Sequence, residues 1–176
     1  TTNHTYFFRE PQILDYFRQQ VIPALSAISA WRIWSAAASS GDEAYTLGMI
    51  VAQTMGRAWM RQNLRILGTD ICESALRHAE RGIYDAGRLD KTSAVYIQHY
   101  FDQIDNGQFQ VADDLRRVCL FRHLNLKAGP YPFQKRFHVV FCRNVLYYFD
   151  KPHQRQILDH LYQATIPGGW LLTSVT

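Results

Sequence analysis

Cysteine is scarce in this chain. Its 176 residues hold three, Cys72, Cys119 and Cys142, far apart and odd in number. None forms a CxxC pair or Cys/His ligand spacing, which disfavours a disulfide scaffold and a structural zinc site and predicts no bound metal. A reducing compartment, the cytoplasm, is the expected setting. No apolar run approaches the roughly 18–20 residues that a membrane helix needs, so no membrane insertion is expected. A large excess of one charge is also missing. The 19 Lys+Arg against 15 Asp+Glu leave +4, compatible with an anionic partner but too little to point to nucleic acid. No phosphate loop of the GxxxxGK[ST] type, no internal repeat and no triad order of Ser, His and Asp is found. Thr1-Thr2-Asn3-His4 has neither Met nor a signal-peptide pattern, and Leu171 to Thr176 stops inside a strand-like run. Both ends are therefore expected to be cuts in a longer protein.

Apolar residues make up 47% of the chain and charged residues 19%, the balance of a folded domain with a sizeable core. Pro11 suits a first helical turn, and Ile13, Leu14, Phe17, Val21 and Leu25 follow at helical spacing, with Pro23 expected to disturb the end. Trp31 to Ala38 reads as a strand, Ser39-Ser40-Gly41 as a turn, and Asp42-Glu43 as the start of a helix running to about Met60. Leu64 to Thr69 is a second strand ending at Asp70, followed by a short helix, Ser74 to Arg81, stopped by Gly82. Residues 83–118 break the rhythm. They contain a helix near Thr92–Phe101 and hairpin-like material around Asp105-Asn106-Gly107 that takes in Phe109, Val111, Leu115 and Val118. Leu120–Leu124 and Phe137–Cys142 are further strands, the latter apolar throughout as if buried on both faces. A helix from Pro152 to Ile166 ends at Pro167-Gly168-Gly169, and Trp170 to Val175 is a fifth strand. This alternation predicts an α/β fold with a mostly parallel sheet and one insertion.

In such sheets ligands lie beyond the carboxyl ends of the strands, which directs attention to Ala36–Gly41, Asp70–Ile71, Asn125–Leu126 and Arg143–Asn144. The loop Ser35 to Gly41 is built of small residues before two acids. It suits the close approach of a cationic ligand, an amine or a sulfonium, as well as a tight turn whose acids complement a helix dipole. Asp70 stands where an acid accepts from ribose hydroxyls, or where it caps a turn. Glu43 and Asp70 together favour a nucleoside with a positive centre over NAD. Arg143 has the fork to hold a carboxylate, or to pair a structural acid, and Tyr148 is either a hydroxyl donor or a packing residue. Cys142 reads as a small buried hydrophobe, not a nucleophile.

Four segments carry a resemblance across essentially the whole chain. They are Thr2-Asn3-His4-Thr5-Tyr6-Phe7-Phe8-Arg9-Glu10, Trp34-Ser35-Ala36-Ala37-Ala38-Ser39-Ser40-Gly41-Asp42-Glu43-Ala44-Tyr45, Gly68-Thr69-Asp70-Ile71 and Phe141-Cys142-Arg143-Asn144-Val145-Leu146-Tyr147-Tyr148-Phe149. In this order they resemble the CheR-type chemotaxis receptor methyltransferases. The resemblance implies a class I S-adenosylmethionine-dependent methyltransferase fold, Rossmann-like, with a small β-subdomain in the insertion at 83–118. It also implies a protein-glutamate O-methyltransferase that yields glutamyl methyl esters on chemoreceptor cytoplasmic domains, with S-adenosylhomocysteine as product. Carried over, Asn3, Thr5 and Arg9 match the segment that folds over the cofactor, Glu43 the acid near its methionine portion and Asp70 the ribose ligand. Asn125 and Leu126 would flank the adenine, with Asn144 and Val145 below the cofactor. Ala37 and Ile71 complete the cofactor set. Arg143 and Tyr148 match residues around the reacting centre and are expected to orient the incoming carboxylate. The chain departs from the family at Asp42 and Ala44, where Glu and Pro are usual, and at Tyr147, usually aliphatic. The family's N-terminal helical domain and last strands are expected to lie outside these residues. A non-catalytic module binding the same cofactor or its product, and a class I methyltransferase with another acceptor, stay open as alternatives.

Overall fold

The computed structural model describes residues 4–174. Asn3 and Val175 lie outside them. From residue 11 the chain forms α1 (Pro11–Tyr16), a π-helical turn (Phe17–Val21) and α2 (Ile22–Leu25), then β1 (Trp31–Ser35), α3 (Asp42–Met55), α4 (Arg57–Asn63), β2 (Leu64–Asp70) and α5 (Glu73–Arg81). A smaller unit follows: β3 (Ile83–Asp85), α6 (Ala94–Tyr100), β4 (Phe101–Gln103), β5 (Gln108–Val111) and α7 (Asp113–Val118). The chain returns to the main sheet with β6 (Cys119–His123), β7 (Phe137–Cys142), α8 (Lys151–Ala164) and β8 (Thr165–Thr173).

The main sheet has five strands in the order β6-β2-β1-β7-β8, and every pair is parallel. The expected α/β class with a mostly parallel sheet is therefore what forms. Side chains alternate between two cores. Ile33, Val139 and Phe141 face one, with Phe17 and Leu47, while Trp34, Val140 and Cys142 face the other, with Ile157 and Leu161. β7 is buried along its whole length, as its unbroken apolar run requires. Trp34 is fully buried, and its indole N–H is satisfied by Thr69 Oγ1 at 2.9 Å.

Pro23 disturbs the end of its helix, as expected: a π turn precedes it, widening the backbone where a proline has no N–H to donate and crowds the carbonyl four residues back, and the helix stops at Leu25. Several other elements differ from the sequence reading, each for a local reason. The helix expected to run to Met60 breaks at Gly56, whose φ of 97° no helix accommodates, and α4 starts anew. Leu115 and Val118 belong to α7, not to a hairpin. Asp113 and Asp114 in its first turn with Arg116 and Arg117 in its last complement the helix dipole. The hairpin residues proper, Phe109 and Val111, sit in β5, the middle strand of an antiparallel three-stranded sheet β3-β5-β4. β8 begins at Thr165, before the Pro-Gly-Gly turn, with a register irregularity between Phe137 and Val139. β1 stops at Ser35, three residues short of expectation. Beyond it Ala36 donates to Phe141 O on β7 and Ala38 to Thr69 O on β2, both at 2.8 Å. The chain end of β1 is thus shared between its two neighbours, at the point where the strand order reverses. Among the described residues no helix is long and apolar enough to cross a membrane.

Gly68, near the end of β2, sets how closely this region packs. A Cβ there would lie 2.6 Å from two ring carbons of Phe121 and 3.0 Å from Ala38 Cβ. Gly68→Ala should therefore lower stability by about 1–3 kcal/mol, the usual cost of overpacking, read as a fall in the denaturant midpoint at unchanged slope.

Candidate functional site

A cleft opens at the carboxyl ends of β1, β2 and β7 and is covered on one side by residues 4–9. Thr5, Arg9, Ala37, Glu43, Asp70, Ile71, Arg143, Asn144, Val145 and Tyr148 all line it. These ten candidates, spread over most of the chain, are brought together. His4, Tyr6, Phe8, Ser39 and Thr46 also line it; the first four lie in segments the sequence marked but were given no role, and Thr46 was not marked at all. Asn125 and Leu126 are not among the lining residues. Asn125 Oδ1 accepts from the Lys127 amide in a turn, and Leu126 is buried in the core around Trp34. Asn3 lies outside the described residues.

The loop from β1 to α3 makes the floor. Gly41 has φ of 91° and stands so close to α5 that a Cβ would meet Ala79 Cβ at 2.9 Å, so only glycine serves there. The two acids that follow go separate ways. Asp42 is fully buried and turned from the cleft, with Arg88 Nη1 at 2.8 Å and Ser40 Oγ at 2.6 Å. That pair ties the loop to the smaller antiparallel unit, as does the hydrogen bond from Tyr84 Oη to Ser40 O at 2.6 Å. Glu43 faces the cleft. Its Oε1 accepts from Ser35 Oγ and its Oε2 from Arg143 Nε, both at 2.7 Å.

Asp70 is held by the backbone. Its two carboxylate oxygens accept from the amides of Ser39 at 2.8 Å and Cys72 at 2.9 Å. A carboxylate offers about four lone-pair sites, so acceptor capacity is left over for a hydroxylated ligand. Asp70 has no ion-pair partner among the described residues. Beside it, the Ser39 hydroxyl is buried without a hydrogen-bond partner.

Arg143 links the walls. Its side chain is only 2% exposed; Nε donates to Glu43 and Nη1 donates to the Arg9 carbonyl at 2.9 Å, with Glu10 Oε2 at 3.7 Å. The guanidinium that lines the cleft is thus also paired with two acids of its own chain. Asn144, with φ of 60°, donates from Nδ2 to Glu10 Oε1 at 2.6 Å and from its amide to Ser174 Oγ at 2.9 Å. Among the described residues five non-glycine residues have positive φ; Phe8, Ser39 and Asn144 line this cleft and Glu10 is hydrogen-bonded to Asn144. Backbone held in that region costs energy and gathers at functional sites. The segment 4–9 is anchored by Phe7, fully buried against Tyr84 and Phe101, and by the Phe8 amide donating to Thr46 Oγ1 at 3.2 Å.

At the mouth Tyr147 and Tyr148 are about half exposed, their rings 4.5 Å apart. A hydrogen bond with Tyr148 raises the Tyr147 phenol above its ordinary range, and Arg9 opposes the shift. Cys142 is 1% exposed, and burial, assisted by the charge on Glu43, pushes its thiol up to about 12. It is a packing residue, as its apolar neighbours in sequence indicate. No cluster of His, Cys, Asp and Glu able to hold a metal occurs among the described residues.

A family model described as "CheR methyltransferase, SAM binding domain" matches residues 3–174. The chemotaxis protein methyltransferase of Borreliella burgdorferi is 39% identical over 178 residues, covering 98% of this chain and 63% of that protein. A probable chemotaxis protein methyltransferase of Rhizobium etli is 36% identical, covering 97% and 66%. The chain thus spans less than two thirds of the length of these relatives. Among solved structures, the glycopeptide N-methyltransferase MtfA complexed with (S)-adenosyl-L-methionine superposes with a TM-score of 0.51 at 15% identity, over 87% of this chain and 48% of that one. At that identity the likeness establishes the shared α/β fold alone.

The Arg143–Glu43 pair is nearly dry, with side chains 2% and 12% exposed. Removing one partner strands the other. Arg143→Met should cost about 3–5 kcal/mol of folding stability, whereas a Phe at half-exposed Tyr148 should change it by less than about 0.5 kcal/mol, both measured by chemical denaturation.

Proposed function

The chain belongs to the CheR methyltransferase family, as its S-adenosylmethionine-binding domain, and on that premise we propose that it transfers a methyl group to glutamate carboxylates of chemoreceptor cytoplasmic domains. The observation that carries the reading is Asp70: a carboxylate at the end of β2, next to the strand where the order reverses, aligned by two amides and lining the cleft with acceptor capacity to spare. That is the acceptor that the hydroxyls of a ribose diol would donate to. The buried Ser39 hydroxyl and the small Ala37 beside it fit a ligand lying close to the loop. When bound, S-adenosylmethionine supplies an electrophilic methyl group on a sulfonium sulfur.

The residues of this chain then have little proton chemistry to perform. A glutamate side chain, with an ordinary pKa of about 4.3, arrives already ionised at neutral pH and needs no general base. The work is to align its oxygen with the methyl and to exclude water, which supplies roughly 7–11 kcal/mol at most. Ser35 and Arg143 hold the Glu43 side chain in place, where it would meet the positive end of the cofactor. Asp70 and Ile71 would hold the nucleoside side, and Thr5, Arg9, Asn144 and Val145, which line the same cleft, would close around it. Tyr148, at the mouth, directs the acceptor carboxylate. Arg143 acts through Glu43 and the covering segment rather than on the acceptor. With its charge already met, it does not quench the nucleophile.

Tritiated S-adenosylmethionine and a receptor cytoplasmic fragment, assayed with the full chain, test this. Label should appear in protein as a base-labile methyl ester. Tyr148→Phe should reduce kcat by about tenfold or more, as loss of a transition-state hydrogen bond does, with cofactor affinity within about twofold. Base-stable label would assign another acceptor, and binding without transfer would assign a non-catalytic module.

A further inference from the structure

Glu10 closes the covering segment and stands immediately before α1. Its backbone is left-handed, φ 57°, and its carboxylate makes no helix cap. It reaches instead to the far side of the cleft, where Oε1 accepts from Asn144 Nδ2 at 2.6 Å and Oε2 approaches Arg143 Nη1 at 3.7 Å. Arg9 Nε is 4.0 Å from the same Oε1. One carboxylate thus joins the end of the covering segment to two residues that follow β7, across 134 positions of sequence. A left-handed backbone at a non-glycine residue is unfavourable, and the charge-assisted hydrogen bond made across the cleft offsets it.

On the reading of the cleft as an adenosyl site, we infer that Glu10 is a positioning residue that latches the covering segment over the bound cofactor, through Asn144 and Arg143, and so sets how long cofactor or product stays bound. The rest of the segment has its own anchors in buried Phe7 and the Phe8 amide, so loss of the latch loosens one end without unfolding the whole. The acceptor oxygen and its reach matter, while the negative charge is secondary because Glu43 already neutralises Arg143.

S-adenosylhomocysteine is the probe, with association and dissociation rates followed by stopped flow on the full chain. Glu10→Ala should dissociate about tenfold faster, the loss of one charge-assisted hydrogen bond, with association changed by less than about twofold. Glu10→Gln, which keeps an acceptor at the same reach, should stay within about threefold of the parent. Should Glu10→Ala not fold, Glu10→Asp serves: it keeps the charge but falls short of Asn144, and should also dissociate faster. Parent-like dissociation from Glu10→Ala or Glu10→Asp, or a Glu10→Gln protein as fast as Glu10→Ala, overturns the latch. Failure of the parent chain to bind the probe would instead overturn the reading of the cleft.

Discussion

One guanidinium holds the cleft together. Arg143 follows the most buried strand of the sheet, and it donates to Glu43 in the first turn of α3 and to the carbonyl of Arg9 in the segment above. Other hydrogen bonds join these segments two at a time, Ala36 to Phe141 and Asn144 to Glu10, whereas Arg143 joins all three. Burying such a pair is expensive, and it becomes tolerable when directed hydrogen bonds replace lost water on both partners. Here Ser35 supplies the second oxygen of Glu43 with a donor, and Glu10 and the Arg9 carbonyl serve Arg143. A lysine would carry the charge but not the planar fork that reaches acceptors in two directions.

That arrangement also sets the electrostatics. A site lined only with acids would attract a sulfonium but repel an acceptor carboxylate. In this cleft the charge of Glu43 is met by Arg143, and Asp70 is steadied by amides rather than by a cation. The left-handed backbones of Phe8, Glu10, Ser39 and Asn144 are the local cost of bringing three separate segments to one place. The close approach at Gly41 and Gly68 makes room for the floor on which they meet.

Much of this was legible in the sequence because it rests on local rules. The apolar run Phe137–Cys142, the small-residue loop ending in acids, and Asp70 at a strand end each announce their place by periodicity or turn chemistry. What was not legible depends on distant partners. Asp42 and Glu43 are chemically alike in the chain, and only Arg88 and Arg143 send one away from the cleft and one into it. Arg143 read equally well as a ligand for substrate or for a structural acid until its neighbours were seen. Glu10 gave no signal, since Asn144 lies far along the chain. Two misses were avoidable. Gly56 is a helix breaker in plain view, and Asp113-Asp114 before Arg116-Arg117 marks a helix where a hairpin was expected. Asn125 and Leu126, brought in by resemblance alone, do not line the cleft.

The central claim is that the cleft seats an adenosyl group with its ribose on Asp70. The most direct measurement is a crystal structure of the chain grown with S-adenosylhomocysteine. The account predicts both ribose hydroxyls within hydrogen-bond distance of the Asp70 carboxylate and the sulfur on the side of Tyr148. An adenosyl group seated elsewhere, or a ribose turned away from Asp70, would contradict it.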